Sequence, residues 1–352
     1  MLLETVPALG IVWFLLITVL WVGFFFLEGF DFGVGMLLPV LGTTEKKRRV
    51  MINTIGPVWD GNEVWLLTAG GAMFAAFPGW YASLFSALYL PLFLVLVGLI
   101  LRGVAFEYRA KHDDDKWRSM FDWFATIGSL LPSLVLGIGF ANMAIGLAND
   151  GTVWKGSFLG LFGPFALLGG VLFVAIFLTH GAAFISLKTK GEIHNSAKAF
   201  ASRVGVSSVV LLAAYVILQN VFYPAVSEFA DLSRFAWVTG IVSIVALAAG
   251  VFLVRKGRDG WAFLLTGTSI ATLIITIFLR LYGNLGFAQD PSLAVGERLN
   301  IITAASSPTT LTIMTWAAVI FVPIVIAYQA WSYWVFHKRI STKNIPDVTH
   351  VA

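Results

Sequence analysis

Residues 21–40 read WVGFFFLEGFDFGVGMLLPV and residues 52–71 read INTIGPVWDGNEVWLLTAGG, two strongly apolar segments that nevertheless carry Glu28, Asp31, Asp60 and Glu63. A charged side chain at membrane depth costs at least about 2.5–3.5 kcal/mol on insertion scales, so carboxylates in such segments are either used or neutralised. The surrounding composition places both segments in a bilayer. Hydrophobic residues fill 58% of the 352 positions, charged residues only 12%, and the mean hydropathy is +0.86. Ordinary soluble domains do not reach such values.

A hydrocarbon core about 30 Å thick needs about 20 apolar residues per helix. Windows of that kind recur at 9–38, 54–76, 80–101, 120–145, 160–186, 204–224, 236–254, 261–285 and 311–336, which makes about nine spans. The runs are longer than barrel strands and lack alternating periodicity, so helices are the only way to satisfy their backbone in lipid. The expected fold is all-α and polytopic, one transmembrane domain over residues 1–352. The first window exceeds one untilted crossing, because 30 residues at about 1.5 Å each reach about 45 Å. It must tilt, bend near Gly29 and Gly33, or protrude.

Basic residues set the orientation. The segments at 45–49, 102–118, 188–203, 255–258 and 337–343 hold 19 of the 23 Lys and Arg, all on one side of a nine-span arrangement. The positive-inside rule then puts the N-terminus outside and the C-terminus in the cytoplasm. The net charge of +4 is a consequence of that topology and calls for no nucleic-acid partner. The polar stretches are short loops, so any chemistry takes place in the membrane. The last outer loop, 286–310, mixes turn and apolar residues and is expected to fold back on the outer surface.

Cysteine is absent, which removes disulfides, iron–sulfur clusters and covalently attached haem from this chain. His112, His194, His337 and His350 fall in loops or the tail, and only His180 lies in a span. A haem held by two facing helices needs a pair of axial ligands, and no such pair is available. His180 therefore reads first as an interfacial or capping residue, and as a haem ligand only second.

The segments EGFDFGVGMLLP (28–39), INTIGPVWDGNEVWLLTAGGAMFAAFP (52–78), LRGVAFEYR (101–109) and SSPTTLTIM (306–314) closely resemble subunit II of bacterial cytochrome bd-type quinol oxidases. WDGNEVW and its flanks carry most of that specificity, and the resemblance extends over the whole chain in length, span count and motif order. It implies a heterodimeric terminal oxidase that couples quinol oxidation to the reduction of dioxygen to water. Haems b558, b595 and d would belong to the partner subunit I, in agreement with the histidine census. The resemblance further implies two four-helix bundles plus a peripheral helix and a multi-pass place in the bacterial cytoplasmic membrane. Beyond subunit I and membrane lipid, it allows a small single-helix accessory subunit and a structural quinone.

Dioxygen reduction consumes protons, and a reaction site deep in the membrane needs a relay of titratable groups to reach it. Asp60 lies 11 residues beyond Arg49, about 16 Å along a continuous second helix at about 1.5 Å per residue, or halfway across. It also resembles the family's proposed proton-channel aspartate and is the first candidate relay, followed by Glu63, Asp31 and Glu28. Each i,i+3 pair shares one helix face. The bland alternative is that these carboxylates clamp helices through Trp59, Asn62, Trp65 or Arg102. Arg102 itself reads equally as a buried counter-charge to Asp31 or as a snorkelling anchor.

Other features read as architecture. Gly29, Gly33, Gly35, Gly70 and Gly71 allow close helix approach, and Pro57 is expected to kink the second helix. Trp13, Trp80, Tyr81, Trp154, Trp237, Trp261, Trp331 and Trp334 resemble interfacial belts. The 30 Phe are expected on lipid- or subunit-facing surfaces, and Arg280 is expected to snorkel. A proton-coupled secondary transporter is the competing functional class. Transporters of that kind commonly repeat their broken helices in two halves, whereas the acidic motifs here occur only in the N-terminal third.

Overall fold

The computed structural model describes residues 8–150, 153–223, 232–290, 292–294 and 296–345. The expectations touching residues 1–7 and 224 and the tail placement of His350 lie outside them. The chain forms α1 (Ala8–Leu41), α2 (Glu45–Ile55), α3 (Trp59–Ala76), α4 (Pro78–Ala87), α5 (Tyr89–Tyr108), α6 (Asp115–Ile145), β1 (Leu147–Asn149), α7 (Pro164–Lys188), α8 (Glu192–Phe222), α9 (Ser233–Arg255), α10 (Asp259–Leu281), β2 (Phe287–Gln289) and α11 (Pro308–Val335).

Eight of these helices are long and apolar enough to cross a membrane, namely α1 and α5–α11. The ninth expected span is α3, whose 18 residues reach about 27 Å but include Asp60, Asn62 and Glu63. It still runs from one face of the molecule to the other. Its preceding helix α2 is joined through Glu45 to the C-terminal end of α5, while Ala75 and Ala76 at its far end accept hydrogen bonds from Ser306.

Two expected spans are broken. Pro57 separates α2 from α3 instead of kinking one helix, because its ring cannot continue the α2 hydrogen-bond ladder. α2 is thus a separate, polar helix that buries Val50, Met51, Thr54 and Ile55. The 80–101 window divides at Leu88 into α4 and α5.

α1 is one unbroken helix of 34 residues and the centre of the molecule. With α3, α5 and α6 it makes one four-helix bundle; α7–α10 make the second, and α11 lies outside, touching only α1 and α3 appreciably. The bundles meet where α1 crosses α7. A Cβ on Gly33 would fall 2.7 Å from the Gly181 Cα, so the two backbones are in contact there. Gly29 and Gly35 are similarly tight, against Phe177 and Ser129, whereas Gly71 faces open space.

The interior between the bundles is aromatic. Phe24, Phe25, Phe30, Phe32, Phe177 and Phe278 are fully buried, so the expectation of surface phenylalanine holds only for others such as Phe74, Phe93, Phe252 and Phe321, which are exposed. Trp13 and Trp80 are buried too, Trp80 stacking on Phe14, so they belong to the core and not to a belt; Trp261, Trp331 and Trp334 are exposed. Arg280 does not snorkel. It is buried and donates to the main-chain carbonyls of Ala144 and Tyr223, tying the end of α6 to that of α8.

The 286–310 loop does fold back: β2 pairs in parallel with β1, and Leu299, Ile301 and Ala304 are buried. At the opposite face the tail after α11 crosses beneath the second bundle. Arg339 there pairs with Asp259 at 2.8 Å, and Lys190 donates to the Ile340 carbonyl.

Candidate functional site

Within the first bundle three helices direct charge at one point. α1 brings Glu28 and Asp31 on one face, α3 brings Asn62 and Glu63, and α5 brings Arg102. Close approach of α5 and α6 forces Arg102 inward, since a Cβ on Gly128 would lie 2.8 Å from the Arg102 backbone nitrogen. Glu28, Asp31, Asn62 and Arg102 are all fully buried. Nη2 of Arg102 pairs with Glu28 and, at 2.7 Å, with Glu63, while the guanidinium rests 4.7 Å above the Phe32 ring. Burial rules out the snorkelling reading of Arg102, and its salt-bridge partners are Glu28 and Glu63 instead of Asp31.

Asp31 has a different partner. The Asn62 amide donates to its Oδ2 at 2.7 Å, and the Asn62 oxygen accepts from Tyr333 at 2.8 Å and Gln329 at 3.2 Å, both on α11. Gln329 in turn accepts from the Trp65 indole at 3.0 Å. Sequence reasoning missed Gln329 and Tyr333. The available signal was an amide in an otherwise apolar helix.

Glu28 and Glu63 thus share one cation beside Asp31, and Asp31 Oδ1 and Arg102 Nε and Nη1 have no hydrogen-bond partner among the described residues. Orphaned buried polar atoms are places that water characteristically joins.

Seven residues beyond Arg102, about 10 Å along α5, lies a second ionic layer. Arg109 grips Glu45 through two bonds of 2.8 and 2.7 Å and Asp122 at 2.6 Å, and Arg48 also reaches Asp122 at 3.1 Å. This layer ties the ends of α2, α5 and α6 together. The hydrogen-bonded Arg109 guanidinium holds the Glu45 carboxyl below its ordinary range despite partial burial.

Asp60 is in neither group. It occupies the exposed side of the first turn of α3, three residues before Glu63, and makes no hydrogen bond or ion pair among the described residues. It stands at the start of α3, one turn before Glu63. The expected rise of about 16 Å from Arg49 presumes a continuous second helix, and the chain breaks at Pro57 instead. The helix N-terminus favours a carboxylate at that position. Below Asp60 in sequence, Trp59 packs on Phe106.

Two other features adjoin these groups. A cavity of about 630 Å³ lies between α3 and α5, lined by aliphatic and aromatic side chains with Glu63 as its one charged residue. His180 is fully buried, stacked on Phe263, with ring nitrogens hydrogen-bonded to Thr266 at 2.8 Å and the Phe26 carbonyl at 3.1 Å. It is neither interfacial nor a helix cap. It fastens α7 to α1 and α10.

Residues 9–336 match the family model for cytochrome bd terminal oxidase subunit II. The chain is 40% identical over 345 residues to cytochrome bd ubiquinol oxidase subunit 2 of Bacillus subtilis, covering 94% of this chain and 97% of that one. It is 36% identical over 373 residues to cytochrome bd-I ubiquinol oxidase subunit 2 of Escherichia coli K12, covering 97% and 98%. The fold resembles a chain of the solved bd oxidase from Geobacillus thermodenitrificans, with a TM-score of 0.74, 18% identity, and coverage of 94% of this chain and 99% of that one.

Proposed function

The chain belongs to the cytochrome bd terminal oxidase subunit II family, and we propose that within such an oxidase it braces the haem-bearing subunit I and carries part of the cytoplasmic proton-uptake path. It is a multi-pass subunit of a quinol:oxygen oxidoreductase complex in the bacterial inner membrane. Membership sets aside the transporter alternative. The finer role rests chiefly on one observation: an exposed, unpaired Asp60 stands beside a buried cluster of Glu28, Asp31, Glu63 and Arg102.

A carboxylate on the outward face of a spanning helix is poorly tolerated by lipid, which supports a subunit I contact along that side of α3. Val64, Leu67 and Phe74, further along the same exposed side, suit such a contact. Asp60 is then the handover residue, taking protons from the cytoplasmic side and passing them toward the partner. The buried cluster supplies exchangeable protons behind it, with Arg102 holding Glu28 and Glu63 in place. The 19 basic residues on the side of the Arg109 layer support an outer N-terminus and a cytoplasmic C-terminus for this single transmembrane domain.

Haems b558, b595 and d reside in subunit I in this reading, and quinol and dioxygen are substrates of the whole complex. The cavity between α3 and α5 has the apolar lining that the tail of a structural quinone would need. Membrane lipid and a small single-helix accessory subunit complete the proposed partners.

The test is steady-state, quinol-driven oxygen consumption by the complex carrying Asp60→Asn. Turnover should fall at least about tenfold, the scale of a lost proton-transfer group, with haem content and subunit I association unchanged. Wild-type turnover would exclude Asp60 as an obligatory relay.

A further inference from the structure

α11 is an apolar helix fastened by polar side chains. Of its 28 residues only Leu311 is buried. Over its last half, from Phe321 to Val335, Gln329, Ser332 and Tyr333 alone are not exposed. Gln329 and Tyr333 are the two that bond to the Asn62 amide. At its other end α11 is held by the Trp13 indole, which donates to the Leu311 carbonyl and the Thr315 hydroxyl.

The hydrogen-bond chain on α11 has a fixed direction. An indole N–H only donates, so Trp65 obliges Gln329 to present its oxygen to Trp65 and its NH₂ to Asn62. The Gln329 NH₂ can only donate, which obliges Asn62 to present its oxygen to α11 and its own NH₂ to Asp31. Tyr333 adds a second donor to that oxygen. A flipped Asn62 amide would set NH₂ against NH₂ on one side and oxygen against carboxylate on the other.

We propose that Gln329 and Tyr333 are positioning residues for the proton-carrying cluster: α11 locks the Asn62 amide so that a hydrogen-bond donor always faces Asp31. The inference rests on the cluster being part of the proton-uptake path. The charged and titratable groups around Asp31 are Glu28 on its own helix, Glu63 on α3, Arg102 on α5 and Tyr333 on α11. Asn62 is the neutral member among them, and α11 sets its orientation from outside the first bundle. α11 thereby tunes when Asp31 holds its proton, without itself carrying one.

The experiment is the pH profile of quinol-driven oxygen consumption by the assembled oxidase, with haem content measured alongside. Gln329→Met keeps the length of the side chain and removes the amide; Tyr333→Phe keeps the ring and removes the hydroxyl. Each should move the profile by about half to one pH unit, the effect of one lost neutral hydrogen bond, at unchanged haem content. In an Asn62→Leu background neither substitution should move it further. The inference is overturned if both single variants keep the wild-type profile, if the shifts persist undiminished in the Asn62→Leu background, or if both lose haem and thus act only as fastenings. Asp31→Asn separates this from the underlying reading. Normal turnover in Asp31→Asn removes the cluster from the proton path, whereas slow turnover there with a wild-type profile in Gln329→Met defeats the α11 inference alone.

Discussion

At Arg102 a single guanidinium meets Glu28 and Glu63 with Phe32 beneath it, and no other cation reaches these carboxylates among the described residues. Arg102→Leu leaves that group of carboxylates buried without its cation, and removing one partner of a buried pair characteristically costs about 3–5 kcal/mol. The expected outcome is haem loss from the complex at a clearly lower temperature, followed by absorbance during a thermal ramp. Glu45 gives a complementary prediction outside the membrane. Its carboxyl is held below the ordinary value of 4.5, so its bond to Arg109 stabilises the fold at pH values above 4.5 and is lost as pH falls through the lowered folded-state value. The thermal stability of Glu45→Gln should accordingly lie below wild type at neutral pH and converge on it in acid. At this scale the sequence was partly readable. Carboxylates in apolar segments stood out because their cost in lipid is so high, but which of them meets Arg102 depends on helix rotation, which no local signal encodes.

Among the elements, α1 and α7 depend on a contact between backbones. Gly33→Ala places a methyl group against the Phe177 carbonyl and Gly181, both main-chain atoms that cannot swing aside. Overpacking of that kind costs about 1–3 kcal/mol, and the expected sign is reduced thermal stability of the assembled complex with the two bundles pushed apart. Close packing at Gly29, Gly33 and Gly35 was legible from small-residue spacing. The break between α2 and α3 was legible only as a kink at Pro57, and the one at Leu88 was signalled only by Pro91, whose ring cannot bond the Ala87 carbonyl. Trp80 illustrates another limit. An aromatic residue near the end of an apolar run has the same sequence signature whether it faces headgroups or, as here, the Phe14 ring in the core.

For the whole molecule, length, apolarity and the distribution of Lys and Arg were enough to indicate an all-helical membrane protein, and the 54–76 window marked the α3 crossing in spite of its polar residues. Two bundles and a peripheral α11 frame one cluster in the N-terminal bundle, and His180 on α7 is a structural fastening to α1 and α10. Because the chain has no cysteine, orientation is directly testable. In sealed cells an impermeant thiol reagent should label Ser157→Cys and spare Lys111→Cys; the reverse pattern would invert the topology. The central claim, that this subunit delivers protons through Asp60, is met most directly by the rate of proton uptake, followed with a pH dye, as the fully reduced complex reacts with dioxygen. Asp60→Asn should slow uptake at least about tenfold at full haem content, in keeping with loss of a proton-transfer group. Uptake at the wild-type rate in that variant would contradict it.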